Sequence, residues 1–171
     1  IFGSSMPTVP KPWVHQAETT AFFAPRPRGN DFSDPGTGKT RAQIDTYLAR
    51  KRRGRWLVLC PLTLMESAWL EDCEKFAPGL GVSLATSDQR LRAFEVGTDV
   101  VVMNIDGVRW FFDGSIKKPI KERITLLNDF DHLTMDESTA YKNPQSARTK
   151  MLIRLAQTAK FDNRYAMTGT P

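Results

Sequence analysis

A short glycine-rich segment of this chain has the residues needed to hold a row of phosphate groups. Residues 34–40 read Asp-Pro-Gly-Thr-Gly-Lys-Thr. Glycines let the backbone curl until several N–H groups face one anion, and a helix that starts there adds the positive end of its dipole. The lysine can reach the β- and γ-phosphates of a nucleotide, and the last threonine can ligate Mg²⁺. The segment therefore predicts a site for ATP and Mg²⁺. Its predicted nucleotide-binding residues are Pro35, Gly36, Thr37, Gly38, Lys39 and Thr40.

An acidic pair, Asp136-Glu137, follows a later apolar run and could complete such a site. In phosphoryl-transfer sites one acid holds the Mg²⁺, and a neighbouring acid positions or deprotonates the attacking water. We therefore assign Asp136 with Thr40 to the metal and Glu137 as the general base, so that Lys39, Asp136 and Glu137 form the candidate catalytic set. Alone, an acidic pair more often caps a helix or faces solvent. Its agreement with the phosphate loop favours the catalytic interpretation.

Composition bounds the class of protein. The chain has 171 residues, 40% of them hydrophobic and 25% charged, which is ordinary for one globular domain. Its 24 Lys and Arg against 19 Asp and Glu give a net charge of +5, which suits a nucleic-acid partner. The two cysteines, Cys60 and Cys73, lack the spacing of a zinc site and indicate a reducing compartment. No apolar stretch approaches the roughly 20 residues that span a bilayer, so we expect no membrane partner.

Short apolar runs alternate with longer segments of helical spacing. The runs, which predict strands buried on both faces, are residues 56–60, 82–85, 99–104, 132–135 and 165–167. The predicted helices are residues 41–53, 64–76 and 120–130, and a further helix with Asn143 as its N-cap and Pro144 in its first turn. This alternation predicts an α/β domain with a mainly parallel central sheet. Residues 29–33, which precede the phosphate loop, are more polar than a central strand should be.

Five segments, taken in order, resemble motifs Q, I, Ia, II and III of superfamily-two helicases. They are His15-Gln16, residues 34–40, Cys60-Pro61-Leu62-Thr63, Asp136-Glu137-Ser138-Thr139 and Thr168-Gly169-Thr170-Pro171. Two further segments point to the Swi/Snf-like branch. Residues 69–78 are similar to its W-x-x-E-x-x-K-F-x-P, and residues 141–146 resemble its I-K-N-x-x-S. The resemblance extends over residues 11–171 and implies a three-layer, RecA-like P-loop domain.

The resemblance also implies roles for residues outside the phosphate loop. Gln16 would read the edge of the adenine, and Thr168 and Thr170 would couple the nucleotide state to the grip on DNA. The candidate nucleic-acid contacts are Pro61, Leu62, Thr63 and Asn104. An asparagine that ends a strand is, however, more often a turn residue. Ser138-Thr139 stands where this branch most often has Ala-His, so a contact made by that histidine is not expected here.

The function implied is that of the first motor domain of an ATP-dependent DNA helicase or translocase, acting on duplex DNA. Residues 1–10 are interpreted as a tail or a cloning remnant, and residues 11–171 as the RecA-like domain. A second RecA-like domain, with an arginine finger, would belong to the same polypeptide outside this chain, so this part alone should hydrolyse ATP very slowly. The expected setting is the cytoplasm of a bacterial or phage-infected cell rather than a nucleus. Two alternatives stay open: the motor of a restriction or phage-packaging system, and a non-catalytic nucleotide- or DNA-binding module.

Overall fold

The computed structural model describes residues 8–50 and 53–169, which form alternating strands and helices. The strands are β1 (Arg28–Asp31), β2 (Arg55–Cys60), β3 (Val82–Ala85), β4 (Val100–Asn104), β5 (Phe130–Asp136) and β6 (Asn163–Met167). The α-helices are α1 (Val14–Phe23), α2 (Lys39–Leu48), α3 (Glu71–Phe76), α4 (Arg90–Glu95), α5 (Lys121–Thr125) and α6 (Ala147–Thr158). A π-helical segment, Met65–Leu70, runs into α3, and 3-10 helices cover Ile105–Phe111 and Ser138–Tyr141.

The strands form one parallel sheet in the order β1-β6-β5-β2-β4-β3. Because all strands run the same way, their carboxyl ends meet at one edge of the sheet. There Asp31 and Asp136 both pair with Met167, and Cys60 pairs with Asn104. Ligands of open α/β sheets bind outside this edge. The prediction of an α/β domain with a mainly parallel sheet is confirmed.

Helices cover both faces of the sheet. Consecutive residues of β2 point to opposite faces, so Trp56 and Leu57 belong to different apolar clusters. Helix α2 and the helical segment 65–76 close the first cluster, in which Ile44 and Trp69 are fully buried. Helices α4 and α6 and the 3-10 helix at 105–111 close the second, which includes Leu155. Full burial of each such side chain stabilises the fold by roughly 1.5–3 kcal/mol. Three layers result, as the resemblance implies.

The polarity of the segment before the phosphate loop has a structural reason. β1 is the edge strand of the sheet and pairs only with β6 among the described residues. Of its residues only Asp31 is buried, while Arg28 and Asn30 are exposed. An edge strand has one side open to solvent, so it does not need the continuous apolar run of a central strand. A strand therefore does precede the loop, although the composition of this segment does not predict one.

Three predicted helices differ from the observed ones. Helix α2 ends at Leu48, although the prediction extends to residue 53. The segment predicted as a helix over 120–130 contains only the short α5, and β5 begins at Phe130. Ser146, not Asn143, is the N-cap of α6: its hydroxyl accepts a hydrogen bond from the backbone N of Thr149 at 3.2 Å. The Asn143 side chain instead closes a turn with the backbone N of residue 145, at 2.9 Å.

Two compositional expectations can be compared with the structure. Cys60 and Cys73 are both free thiols and both buried. In the part of the chain that the structure describes, no helix combines the length and the apolar character needed to cross a membrane.

Candidate functional site

The phosphate loop connects β1 to α2 at the carboxyl edge of the sheet. Gly36 and Gly38 have φ angles of 78° and 72°, the left-handed region that glycine adopts without strain. Helix α2 begins at Lys39, so its N-terminal N–H groups face the loop. The Lys39 ammonium donates to the backbone carbonyls of Ser33 at 2.9 Å and Asp34 at 3.0 Å. The loop therefore curls around its own lysine, as phosphate binding requires.

Gln16, the residue predicted to read the nucleotide base, lies against this loop. The Gln16 side chain is buried, and its amide nitrogen donates to the carbonyls of Thr37 and Gly38 at 3.4 and 3.3 Å. Its Oε1 accepts a hydrogen bond from the Trp13 backbone N at 2.9 Å. The ring of His15 lies 2.8 Å from the same Thr37 carbonyl, measured from Nε2. The structure thus brings Gln16 to the phosphate loop, where its amide orients the loop backbone.

A cavity of about 300 Å³ opens beside Gln16. Its lining residues are Pro10, Lys11, Trp13, Gln16, Gly38, Arg41, Asp72, Lys75 and Phe76. The Arg41 guanidinium lies 4.4 Å from the centre of the Phe76 ring and donates to the Pro10 carbonyl at 2.9 Å. The cavity therefore has aromatic and cationic walls next to the start of α2. A planar heterocycle can stack on such walls.

Asp136 ends β5 at the same edge of the sheet. Its side chain is 6% exposed, and each carboxylate oxygen accepts one hydrogen bond. Oδ2 accepts from the Trp69 indole Nε1 and Oδ1 from the Glu137 backbone N, both at 2.9 Å. Burial raises the pKa of Asp136 above its usual value, while these hydrogen bonds and the positive charge of Lys39 oppose the rise. Asp136 is therefore a buried carboxylate whose two oxygens are both oriented by hydrogen bonds.

Glu137, the predicted general base, has an unusual backbone. Its φ and ψ are 54° and 53°, and among the described residues only Lys160 is another non-glycine residue with positive φ. A left-handed glutamate costs roughly 1–3 kcal/mol and persists where the surroundings fix it, often at functional sites. Glu137 is half-buried and begins the 3-10 helix at 138–141. The backbone therefore turns sharply at Glu137, directly after Asp136 at the end of β5.

The donor set suits a hard cation that keeps most of its water. Among the described residues, no three His, Cys, Asp or Glu side chains gather to hold a metal. Asp136 and the half-buried Thr40, at the first turn of α2, offer oxygen ligands only. Mg²⁺ is usually bound in this way, by one or two protein oxygens together with phosphates and water. The residues present therefore fit Mg²⁺ better than a metal that requires a complete protein cage.

The segment after β6 contacts the phosphate loop. Thr168 is buried, and its backbone N donates to the Asp31 carbonyl at 3.0 Å. Gly169 lies against Pro35 so closely that a side chain would collide with the proline ring. Thr170, the second predicted coupling residue, lies outside the described residues. The structure thus places Thr168 at the end of β1, next to the phosphate loop.

The candidate nucleic-acid residues lie along the same edge of the sheet, on β2 and β4. Leu62 and Thr63 are exposed just after β2, where Leu62 shows 62% of its surface, and Pro61 is half-buried. Asn104 ends β4 beside Cys60. The Asn104 side chain accepts a hydrogen bond from the Asp106 backbone N at 3.1 Å and caps the 3-10 helix at 105–111. It is therefore a capping residue, and its contact with nucleic acid stays a prediction.

Sequence reasoning missed the link between Trp69 and Asp136. Trp69 is fully buried and by type is an ordinary core aromatic. Its indole nevertheless holds the candidate metal ligand, 67 residues away in the chain. The available signal was its position in a segment shared with the Swi/Snf-like branch, which gives no partner for the ring. Ser146, the serine of the I-K-N-x-x-S-like segment, likewise turns out to cap α6.

The parallel sheet, the phosphate loop after an edge strand and the acidic pair at the end of a central strand define a RecA-like P-loop domain. The sequence model of the SNF2-related domain family matches residues 30–171. The chain belongs to this family, and the resemblance to the Swi/Snf-like branch of superfamily-two helicases is confirmed.

Solved structures share the fold. The chain is similar to the SWI2/SNF2 ATPase core of Sulfolobus solfataricus, solved with double-stranded DNA, at a TM-score of 0.75 and 23% identity over 99% of this chain. It is also similar to the UvsW helicase of bacteriophage T4, at a TM-score of 0.61 and 16% identity over 96% of this chain. The matched regions span 35% and 55% of those two proteins. Comparison with curated protein sequences finds no significant match.

Proposed function

We propose that this domain binds ATP with Mg²⁺ at the edge formed by β1, β6 and β5, and is the first half of a DNA-translocating ATPase. The observation that carries the proposal is geometric: the phosphate loop with Lys39 follows β1, the buried Asp136 ends β5, and both strand ends pair with Met167 of β6 at one edge of the sheet. The lysine on the curled loop is complementary to the phosphates, and the buried acid at the end of β5 is complementary to the cation that they bind.

The base of the nucleotide is proposed to enter the cavity beside Gln16. The Gln16 amide donates to the backbone of the phosphate loop, so the groups that contact the base and the phosphates would be directly connected. Trp13 is 60% exposed at the wall of this cavity and offers a ring face for stacking. Purines would be favoured over pyrimidines because they present more surface to such a wall.

Glu137 is proposed to accept a proton from the attacking water, and Asp136 and Thr40 to hold the cation. When bound, Mg²⁺ would neutralise charge on the phosphoryl oxygens. The Lys39 ammonium would leave the carbonyls of Ser33 and Asp34 and donate to the β- and γ-phosphates. Because carbonyl partners are exchanged for charged phosphate partners, this exchange favours the bound state.

DNA is proposed to lie along the ends of β2 and β4, beside the nucleotide. Leu62 and Thr63 are exposed there, and backbone N–H groups with a hydroxyl suit phosphate contacts that do not depend on sequence. The chain's net charge of +5 favours a polyanion. Duplex is the preferred form, as in the complex of the Sulfolobus relative. We propose the cytoplasm of a bacterial or phage-infected cell as the setting.

The matched relatives are longer than this chain, which spans 35% and 55% of them. We propose that a second RecA-like domain of the same polypeptide supplies an arginine finger, a group worth about 10³ to 10⁵ in rate. Residues 1–171 alone should then bind nucleotide weakly and turn it over very slowly. Fast DNA-stimulated hydrolysis by these residues alone would contradict the proposal.

The test is the rate of ATP hydrolysis by the longest natural polypeptide that contains this domain, without DNA, with duplex and with single strands. Stimulation by duplex supports translocation on double-stranded DNA, and preference for single strands supports strand separation instead. Without stimulation by either, the DNA part of the proposal fails. The Glu137→Gln variant of the same polypeptide is the negative control for hydrolysis.

A further inference from the structure

Two tryptophans lie side by side above β5, and each donates its indole N–H to a polar side chain of that strand. Trp56 donates to the Thr134 hydroxyl at 3.0 Å, and Trp69 donates to Asp136 Oδ2 at 2.9 Å. Thr134 and Asp136 are two residues apart, so they face the same side of the strand. The two rings pack edge to face, with centroids 5.5 Å apart, and neither tryptophan has exposed surface. The two hydrogen bonds form a matched pair in one environment.

The two acceptors differ in what else they can bind. Thr134 is fully buried within the strand, whereas Asp136 ends it at the phosphate loop. A carboxylate oxygen can accept two hydrogen bonds or ligands, and among the described residues each oxygen of Asp136 accepts from one neutral donor. A neutral indole orients the carboxylate and leaves its charge in place, whereas a lysine or arginine would neutralise that charge. Asp136 is therefore oriented yet still available to a cation.

The position of Trp69 depends on the segment that carries it. The π-helical turn Met65–Leu70 contains this tryptophan and continues into α3. π-turns are rare and frequently occur at functional sites. The turn begins directly after the loop 61–64, which is closed by a hydrogen bond from the Leu64 N to the Pro61 carbonyl at 3.0 Å. Residues 61–63 and Trp69 therefore belong to one continuous run of turn and helix that extends to Phe76.

We propose that Trp69 is a positioning residue that holds the Asp136 carboxylate for Mg²⁺ and transmits the position of the loop at 61–63 to the cation site. The inference rests on the proposed function, because it needs Mg²⁺ at Asp136 and DNA at that loop. It adds a physical connection between the two: a single indole hydrogen bond joins the segment that follows the DNA loop to the metal ligand.

The test compares Trp69→Phe with the matched control Trp56→Phe. Each variant loses one buried indole hydrogen bond to β5 and keeps an aromatic ring. Binding of a fluorescent, non-hydrolysable ATP analogue is followed by polarisation while Mg²⁺ is titrated. Loss of an outer-shell partner typically costs 10–100-fold in metal affinity. We therefore expect Trp69→Phe to require about 10- to 100-fold more Mg²⁺, while Trp56→Phe keeps the wild-type requirement and all three proteins bind alike in EDTA.

The outcomes distinguish a failure of the proposed function from a failure of the role assigned to Trp69. If the wild type binds the analogue without any dependence on Mg²⁺, the proposed function fails, and this inference fails with it. If the wild type depends on Mg²⁺ and both variants match it, or both shift equally, only the positioning role of Trp69 is overturned. Urea unfolding of both variants shows how much stability each indole contributes, which is a separate quantity.

A second measurement follows the tryptophan indoles of the wild-type protein by NMR. The protein is labelled with ¹⁵N at the indole nitrogens of its four tryptophans. At saturating analogue, addition of Mg²⁺ should shift the Trp69 indole resonance and leave that of Trp56 in place. Addition of a short DNA duplex should shift the Trp69 resonance again. A Trp69 resonance that ignores Mg²⁺ overturns the positioning role, and one that ignores bound duplex overturns the transmission.

Discussion

Gly169, just after β6, lies directly against Pro35 of the phosphate loop. A Cβ built on Gly169 would be 2.7 Å from the proline Cγ and 3.4 Å from its backbone N, closer than the ring can tolerate without moving. The preceding residue, Thr168, donates its backbone N–H to Asp31, at the end of β1. The segment predicted to couple the nucleotide state to DNA therefore shares a packed interface with the loop predicted to hold the phosphates.

Gly169→Ala should displace this loop. Over-packing of this kind typically costs about 1–3 kcal/mol, and we expect that loss of unfolding free energy together with weaker nucleotide binding. Thermal unfolding and binding of a fluorescent ATP analogue measure the two effects. Gly79→Ala is the matched control, because an added Cβ there meets nothing within 4 Å. Pro35→Ala in the Gly169→Ala background should restore the unfolding midpoint. Equal unfolding midpoints and equal nucleotide affinities for Gly169→Ala and Gly79→Ala would show that the contact does not constrain the loop.

Lys39→Ala removes the only charged donor of the phosphate loop among its described residues. Hydrogen bonds to charged groups contribute about 1.5–3 kcal/mol, so affinity for the triphosphate should fall roughly 10- to 100-fold. Folding should change little, because the partners of the ammonium among the described residues are two loop carbonyls. Lys150→Ala, on the exposed side of α6, controls for the loss of one positive charge. Equal affinities for the two variants would place the phosphates elsewhere.

Glu137→Gln distinguishes a motor from a non-catalytic module. General bases contribute typically 10²- to 10⁴-fold to rate, so hydrolysis by the longer polypeptide should fall at least about 100-fold. Nucleotide binding should be retained, because the amide has nearly the same shape as the carboxylate. Phosphate release and analogue binding are the two readouts. Hydrolysis unchanged in Glu137→Gln would remove this residue from the chemistry, and a wild type without turnover would favour the module.

The buried His132 predicts a stability that depends on pH. Its ring packs against Tyr47, Trp56 and Tyr165, and burial, with a smaller effect of Arg50, lowers its pKa from 6.5 to about 3. Between these values the unfolded chain binds a proton that the folded chain does not. The contribution of the neutral His132 to the free energy of unfolding is therefore complete above pH 6.5. It is lost as the pH falls towards 3, by up to about 1.4 kcal/mol per pH unit.

Urea unfolding at pH 7.5, 6.5, 5.5 and 4.5 measures this dependence. His132→Phe, which keeps an aromatic ring in the cluster, should flatten the slope below pH 6.5 relative to the wild type. The comparison of slopes removes the contributions of other titrating groups, since these are shared by both proteins. The same slope in both proteins would mean that His132 binds its proton equally in the folded and unfolded chains, which contradicts the lowered pKa.

The parts of the candidate nucleotide site could be recognised because each is local in sequence. A glycine-rich turn before a helix and an acidic pair after an apolar run each carry their chemistry within a few residues. Contacts between distant segments could not be predicted, because they depend on the order of strands. Gly169 meets Pro35 only because β6 lies between β1 and β5, and the sequence pattern gives strands but not their neighbours.

Errors in the helices have local physical causes. Residues 120–130 have helical spacing, but a turn closed by hydrogen bonds such as Phe130 N to the Leu127 carbonyl, at 3.0 Å, ends the helix and starts β5. Asn143 and Ser146 are both good N-caps by type, and only the observed hydrogen bond to Thr149 selects the serine. Where two residue types satisfy the same rule, packing of the following helix decides between them.

The most direct test of the central claim is the binding of a fluorescent, non-hydrolysable ATP analogue to residues 1–171, in Mg²⁺ and in EDTA, for the wild type and Asp136→Asn. We expect the wild type to bind more tightly in Mg²⁺. Asp136→Asn should lose this gain and keep the affinity seen in EDTA, because only the metal-holding charge is removed. Identical Mg²⁺ dependence in the two proteins, or no binding by the wild type, would contradict a nucleotide–Mg²⁺ site at this edge of the sheet.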